Sequence, residues 1–183
     1  MGAGKSTVLH ELRRLGLLCI DEPARQILAE QRAIEGRGVP ERDPKLFTDL
    51  LLSRSIYQFK QMKNHQGPVI YDRGIPDSIS YAELFDLDSH SSTKAANQYQ
   101  YNKQIFFLPA WEEIYENDDE RKMTFYQSRS FGENVKKIYE DLGYTIIEVP
   151  MLPPSDRAEF IVNIIIKKAV VEKLKLATGH QLK

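Results

Sequence analysis

The run Gly2-Ala3-Gly4-Lys5-Ser6-Thr7, followed at once by an amphipathic stretch, constrains this chain more than any other feature. Glycines let consecutive backbone N–H groups turn toward an anion, and a helix starting directly after them adds its positive amino-terminal end. Val8, Leu9, Leu12 and Leu15 share one face of the stretch from Ser6 to Leu15, and Gly16 can stop it. Lys5 is spaced to reach the β- and γ-phosphates of a nucleotide, and the Ser6 hydroxyl to sit on Mg²⁺. Gly2, Ala3, Gly4, Lys5, Ser6 and Thr7 are therefore candidate nucleotide-binding residues, and Ser6 a candidate metal ligand. The full spacing of such a loop asks for another glycine five residues before Gly4, ahead of Met1, and for a strand feeding the loop. The expectation is that the reading frame begins upstream and that Met1 is an internal methionine.

Beyond the loop, short apolar runs alternate with helical patterns. Leu17–Ile20, Val69–Asp72, Gln104–Leu108 and Tyr144–Val149 read as strands. Between them, helices are predicted over Pro23–Glu35, from Asp43-Pro44 to about Lys63, over Pro76–Phe85 and over residues 93–103. A helical region with a charged interruption runs from Trp111 to Leu142, and the last helix from Ser155, a candidate N-cap, to about Leu176. This alternation predicts an α/β fold in three layers, a parallel sheet covered by helices on both faces, with ligands at its carboxyl edge. One domain is expected over residues 1–176, with a lid near 111–131 and a fraying tail at 177–183.

Two strand ends carry chemistry. Asp72, closing Val-Ile-Tyr-Asp, can bind Mg²⁺ through water or take a proton from a substrate hydroxyl, and Arg73 can clamp phosphate through both arms. Glu22, closing Ile-Asp-Glu-Pro, faces the same edge and is an equal candidate for base or metal-shell carboxylate. Asp77 reads as a charge complementing a helix start. Arg121, within Asn117–Lys122, and Arg129 are candidates for lid cations over the transferring phosphoryl group. The Pro150–Pro154 loop can pack against a purine ring, whereas Trp111, Tyr115, Phe125 and Tyr126 read as core or lid packing.

Composition excludes several alternatives. In 183 residues, 25 Lys and Arg face 26 Asp and Glu, so nothing demands nucleic acid or an anionic membrane. The single Cys19 and four scattered His offer neither a disulfide framework nor metal-ligand spacing. No apolar run nears the roughly 18–20 residues that span a bilayer, and the start lacks signal-peptide order. A cytoplasmic protein is expected, of unspecified oligomeric state.

The stretches GAGKST, IDEPARQIL, VIYDRGIPDSISYAELF, FFLPAWEEIYENDDERKMTF and LGYTIIEVPMLPPSDRAEFI together resemble the small AAA-domain ATPase family over about residues 2–165. Its relatives include nicotinamide riboside kinase domains and a eukaryotic protein that binds GTP and phosphoinositides. The resemblance implies a P-loop NTPase fold, nucleoside/nucleotide kinase-like, in which the strand before the loop is central; that first strand is missing from this sequence. It implies binding of ATP, or GTP, with Mg²⁺, with Lys5, Ser6 and Thr7 on the phosphate loop and Asp72-Arg73 as the strand-closing pair. Glu22-Pro23 is also similar to the Glu-Pro of deoxynucleoside kinases, where the Glu is a base toward a sugar hydroxyl. The expected function is an ATP-dependent kinase acting on an unidentified small-molecule acceptor. The alternative is a nucleotide-dependent switch or binding ATPase; the absence of a guanine-reading Asn-Lys-x-Asp run disfavours GTP.

Overall fold

The computed structural model describes residues 3–115 and 123–177. In chain order the elements are α1 (Lys5–Arg14), β1 (Leu18–Ile20), α2 (Pro23–Ala33), α3 (Pro44–Gln61), β2 (Val69–Tyr71), α4 (Asp77–Leu84), α5 (His90–Gln98), β3 (Gln104–Phe107), a 3-10 turn (Glu112–Ile114), α6 (Phe125–Asp141), β4 (Thr145–Glu148) and α7 (Pro154–Ala177). Local chemistry accounts for most boundaries. Pro23 and Pro44 open α2 and α3, where a missing N–H costs nothing. The Asp43 carboxylate accepts from Leu46 N at 2.9 Å and caps α3. Thr124 and Gln127 form a reciprocal capping box that starts α6 sharply after the charged interruption. α7 starts one residue before the expected cap: Pro154 takes the first helical position, and Ser155 lies inside the first turn with its hydroxyl on Asp156 at 3.1 Å. α5 likewise begins at His90, three residues earlier than its composition suggested.

The strands pair as two separate parallel ribbons rather than one sheet. β1 pairs with β2 in the register Leu18–Val69, Cys19–Ile70, Ile20–Tyr71, and β3 pairs with β4 from Gln104–Thr145 to Phe107–Glu148. Among the described residues no strand joins β2 to β3. A cavity of about 680 Å³ lies where they would meet, walled by Ile70 and Tyr71 of β2, Ile105 and Phe106 of β3, and Leu9 and Ile161 of the helices. The expected parallel sheet is thus in two parts, consistent with the central strand before the loop that the resemblance implies and this sequence lacks.

Helices bridge the interruption. Val8, Leu9 and Leu12 of α1 pack with Ala158 and Ile161 of α7, and both helices reach Cys19 of the first ribbon and Val149 beside the second. Alternation along β2 sends Ile70 into that cluster, while the Tyr71 ring meets Tyr101 at 5.0 Å, which in turn meets Phe59 of α3. A further cluster joins α2, α3, α4 and α6 through Ile27, Phe47, Leu51, Tyr81 and Phe131. Phe47 and Leu12 are each 1 % exposed, and truncating such a side chain to Ala costs about 2–5 kcal/mol. These two apolar layers hold the carboxyl ends of β1 and β2 beside the start of α1.

Candidate functional site

Gly4 is the hinge of the glycine-bearing loop that opens α1. It precedes α1 in the left-handed region (φ 67°, ψ 24°), which non-glycine residues enter only at a cost. A left-handed residue followed by a helical one turns successive N–H groups toward one point, the geometry of an anion nest. Thr7 Oγ1 donates to Gly4 O at 2.7 Å and ties the first turn to the loop. Ala3 is buried, Lys5 half-buried, and Ser6 and Thr7 exposed. Gly2 lies outside the described residues.

The ends of β1 and β2 bring Glu22, Asp72 and Arg73 together with Lys5. Glu22 precedes α2 yet makes no cap; its carboxylate turns to Arg73, whose Nε lies 2.6 Å from Oε1. One terminal nitrogen of Arg73 donates to Asp77 Oδ1 at 2.8 Å, and its guanidinium lies 5.5 Å from the Phe131 ring. The Arg73 backbone is left-handed (φ 69°), a strain held by these two ion pairs. Asp77 does more than complement a helix start: its Oδ2 also accepts from Gly74 N at 2.9 Å and from Tyr139 OH at 2.8 Å. Burial pushes the Tyr139 hydroxyl well up, reinforced by the adjacent Asp77 charge, so it stays a donor.

Asp72 is different. It is 9 % exposed, and its Oδ1 is buried without a hydrogen-bond partner. Burial raises its pKa above the ordinary aspartate value; Lys5 and Arg73 pull it back, Glu22 and Asp77 push with burial, and the net direction is upward. For Glu22, burial pushes the same way, but Arg73, Lys5 and Arg25 outweigh it and hold the carboxyl below its ordinary value. One carboxylate is therefore neutralised by a fork of guanidinium, and its neighbour lines the cavity with one buried oxygen left unpaired.

Lys5, Asp72 and Arg73 line one end of the cavity, and Arg129 reaches the same cavity from α6. Arg121 lies outside the described residues. Both sides of the charged interruption are anchored: Tyr115 OH donates to Met123 O and lies 3.2 Å from Ser128 Oγ. Mg²⁺ takes hard oxygens, commonly one or two carboxylates alongside phosphates and water. The unpaired Asp72 oxygen and the exposed Ser6 hydroxyl are of that donor type, and among the described residues no group of three or more His, Cys, Asp or Glu is arranged to hold a metal ion.

One residue of this region escaped the sequence reading. Arg157, 3 % exposed in the first turn of α7, donates from a terminal nitrogen to Ala3 O at 2.8 Å and lies 5.5 Å from the Trp111 ring. A signal was available: a cation in the first turn opposes the helix dipole, so it needs another reason to be there. The Tyr139–Asp77 bond spans 62 positions and left no local trace.

The chain matches a family model described as AAA domain over residues 1–157. No curated protein and no solved structure matches it. No described helix is long and apolar enough to cross a membrane.

Proposed function

The chain belongs to the AAA domain family of nucleotide-binding P-loop proteins, and from that premise we propose that it is a kinase, moving the γ-phosphoryl group of ATP onto a hydroxyl of a small-molecule acceptor. The observation that carries this reading is the Asp72 carboxylate, buried with one oxygen unpaired at the strand end beside Lys5. A carboxylate whose pKa is raised toward the working pH is better suited to take a hydroxyl proton than one held down by an ion pair. That favours Asp72 over Glu22 as the base. Arg73 then positions rather than reacts, since its fork is engaged by Glu22 and Asp77.

The chain's own residues divide the task as follows. The N–H groups at the start of α1 and the Lys5 ammonium hold the phosphates. Ser6 would hold Mg²⁺, with Asp72 beside it, and the ion when bound offsets charge on the phosphate oxygens. Asp72 accepts the acceptor's proton as its oxygen bonds to the γ-phosphorus and the bond to ADP breaks. Arg129, from a lid over residues 111–131 that also carries Arg121, adds positive charge above the transferring group. ATP rather than GTP is the donor. The kinship to nicotinamide riboside kinase domains, where an acceptor would be a ribosyl hydroxyl, rests on the quoted sequence stretches alone.

The test is ADP release by the protein with Mg²⁺ and ATP, against a panel of nucleosides, ribosides and sugars. Stimulation by one acceptor class, lost in Asp72→Asn, is the expected result. Basal hydrolysis that no acceptor raises would replace the kinase with an ATPase or nucleotide-dependent switch.

A further inference from the structure

Arg157 is a buried cation in an unusual setting. Among the described residues no carboxylate pairs with it, and its Nε is buried without a hydrogen-bond partner. A guanidinium taken out of water without a counter-charge is costly, so it needs a compensating role. Both of its terminal nitrogens lie against the loop before α1. One terminal nitrogen holds Ala3 O at 2.8 Å. The other lies 2.7 Å from where a Cβ on Gly4 would stand, so the guanidinium lies against the loop backbone at the position only glycine can fill. Trp111, the chain's sole tryptophan, lies over the guanidinium, and Ile114 from the same segment approaches that Gly4 position to 3.1 Å.

The grip on Ala3 O has a geometric consequence. In a planar trans peptide, the carbonyl of Ala3 and the N–H of Gly4 point in opposite directions. Holding that oxygen toward α7 therefore turns the Gly4 N–H away from α7, toward the inside of the nest formed with Lys5. Bound phosphate would also meet the field of a nearby guanidinium that no described carboxylate offsets.

We propose that Arg157 is a positioning residue for nucleotide binding, fixing the Ala3–Gly4 peptide so that the loop N–H groups face the phosphates, with Trp111 as the aromatic surface that holds the guanidinium flat. This rests on the nucleotide reading given above. Loop occupancy is thereby coupled to Trp111, and the intrinsic emission of the protein responds when nucleotide binds.

The experiment titrates MgADP calorimetrically into the unaltered protein, Arg157→Gln and Arg157→Lys, recording thermal midpoints and Trp111 emission alongside. Arg157→Gln should bind about 10- to 100-fold more weakly, as expected for loss of a charged hydrogen bond that organises a site. Its midpoint should not fall, since an unneutralised buried charge is removed. Arg157→Lys, which keeps the charge and one donor, should recover part of the affinity. The emission change on binding should shrink in Arg157→Gln. A folded Arg157→Gln with unchanged MgADP affinity overturns the proposal. Should that variant fail to fold, Trp111→Leu, which removes only the covering ring, takes its place: weaker binding supports the positioning role, and unchanged binding overturns it. Failure of the unaltered protein to bind MgADP overturns the nucleotide reading itself, and this proposal with it.

Discussion

Replacing Asp72 by Asn separates stability from chemistry in opposite directions. The carboxylate is 9 % exposed with one buried oxygen unpaired, and the balance of burial, Glu22 and Asp77 against Lys5 and Arg73 disfavours its charged form. An unsatisfied buried polar group costs about 1–3 kcal/mol. Asn is isosteric and still leaves a polar atom unpaired there, so that cost stays; it removes the disfavoured charge and forfeits the attraction of Lys5 and Arg73, for a net gain on the order of 1 kcal/mol. For a chain of this size that raises the melting midpoint by about 2–4 °C at neutral pH. The sign with pH follows from the upward shift. A raised carboxyl is protonated in both folded and unfolded protein at pH below the ordinary aspartate value, so the two proteins converge there. As pH rises through the folded-state value, the unaltered protein loses stability relative to Asp72→Asn, and the gap opens fully. Acceptor-stimulated turnover should meanwhile fall about 10²- to 10⁴-fold, the usual contribution of a general base. Thermal melts from acid to neutral pH, paired with ADP-release rates, read both. A variant that melts lower at neutral pH would show that Asp72 anchors the fold, and one with full turnover would remove it from the reaction.

Three further outcomes follow from the geometry. Arg73→Gln leaves Glu22 and Asp77 buried without their cation, and urea unfolding should show a loss of about 3–5 kcal/mol; a loss within experimental error would mean that the network is dispensable. Gly4→Ala forces a left-handed conformation costing about 1–2 kcal/mol and sets a Cβ 2.7 Å from Arg157, so MgATP binding measured by calorimetry should collapse; retained affinity would remove the loop geometry from the argument. Cys19 is buried, and burial chiefly raises its thiol pKa, with Arg13 opposing. Its reaction with a thiol reagent at neutral pH should be slow and should accelerate in step with urea unfolding, whereas rapid labelling of folded protein would contradict that burial.

Much of the local structure was legible from single residues. Gly4 and Gly16 bracket α1, Pro23 and Pro44 open two helices, and Asp43 caps one, because each acts within a few positions of itself. The strands were legible as apolar runs, but pairing was not. An apolar run states that both faces are buried without naming its neighbour, whereas the gap between β2 and β3 accords with the central first strand that the resemblance implies and this sequence lacks. At the site, Glu22, Asp72 and Lys5 could be assigned to one edge because strand ends converge there. What no spacing disclosed is that Arg73 turns toward Glu22, 51 residues away in sequence terms and on another strand, instead of outward. The Arg73–Asp77 pair, by contrast, stands at the i,i+4 interval in which charged partners meet.

That arrangement explains why the position after Asp72 requires an arginine. Three carboxylates, Glu22, Asp72 and Asp77, crowd the ends of two strands and the start of α4. A lysine could neutralise one of them as a point charge. The guanidinium fork reaches two at once, from Nε and a terminal nitrogen, across separate elements. It does so from a left-handed backbone at Arg73, beside the Phe131 ring. With Glu22 and Asp77 thus paired to the fork, Asp72 keeps a buried oxygen unpaired beside Lys5, and the chemical asymmetry among three otherwise similar acids arises from which of them the fork can touch.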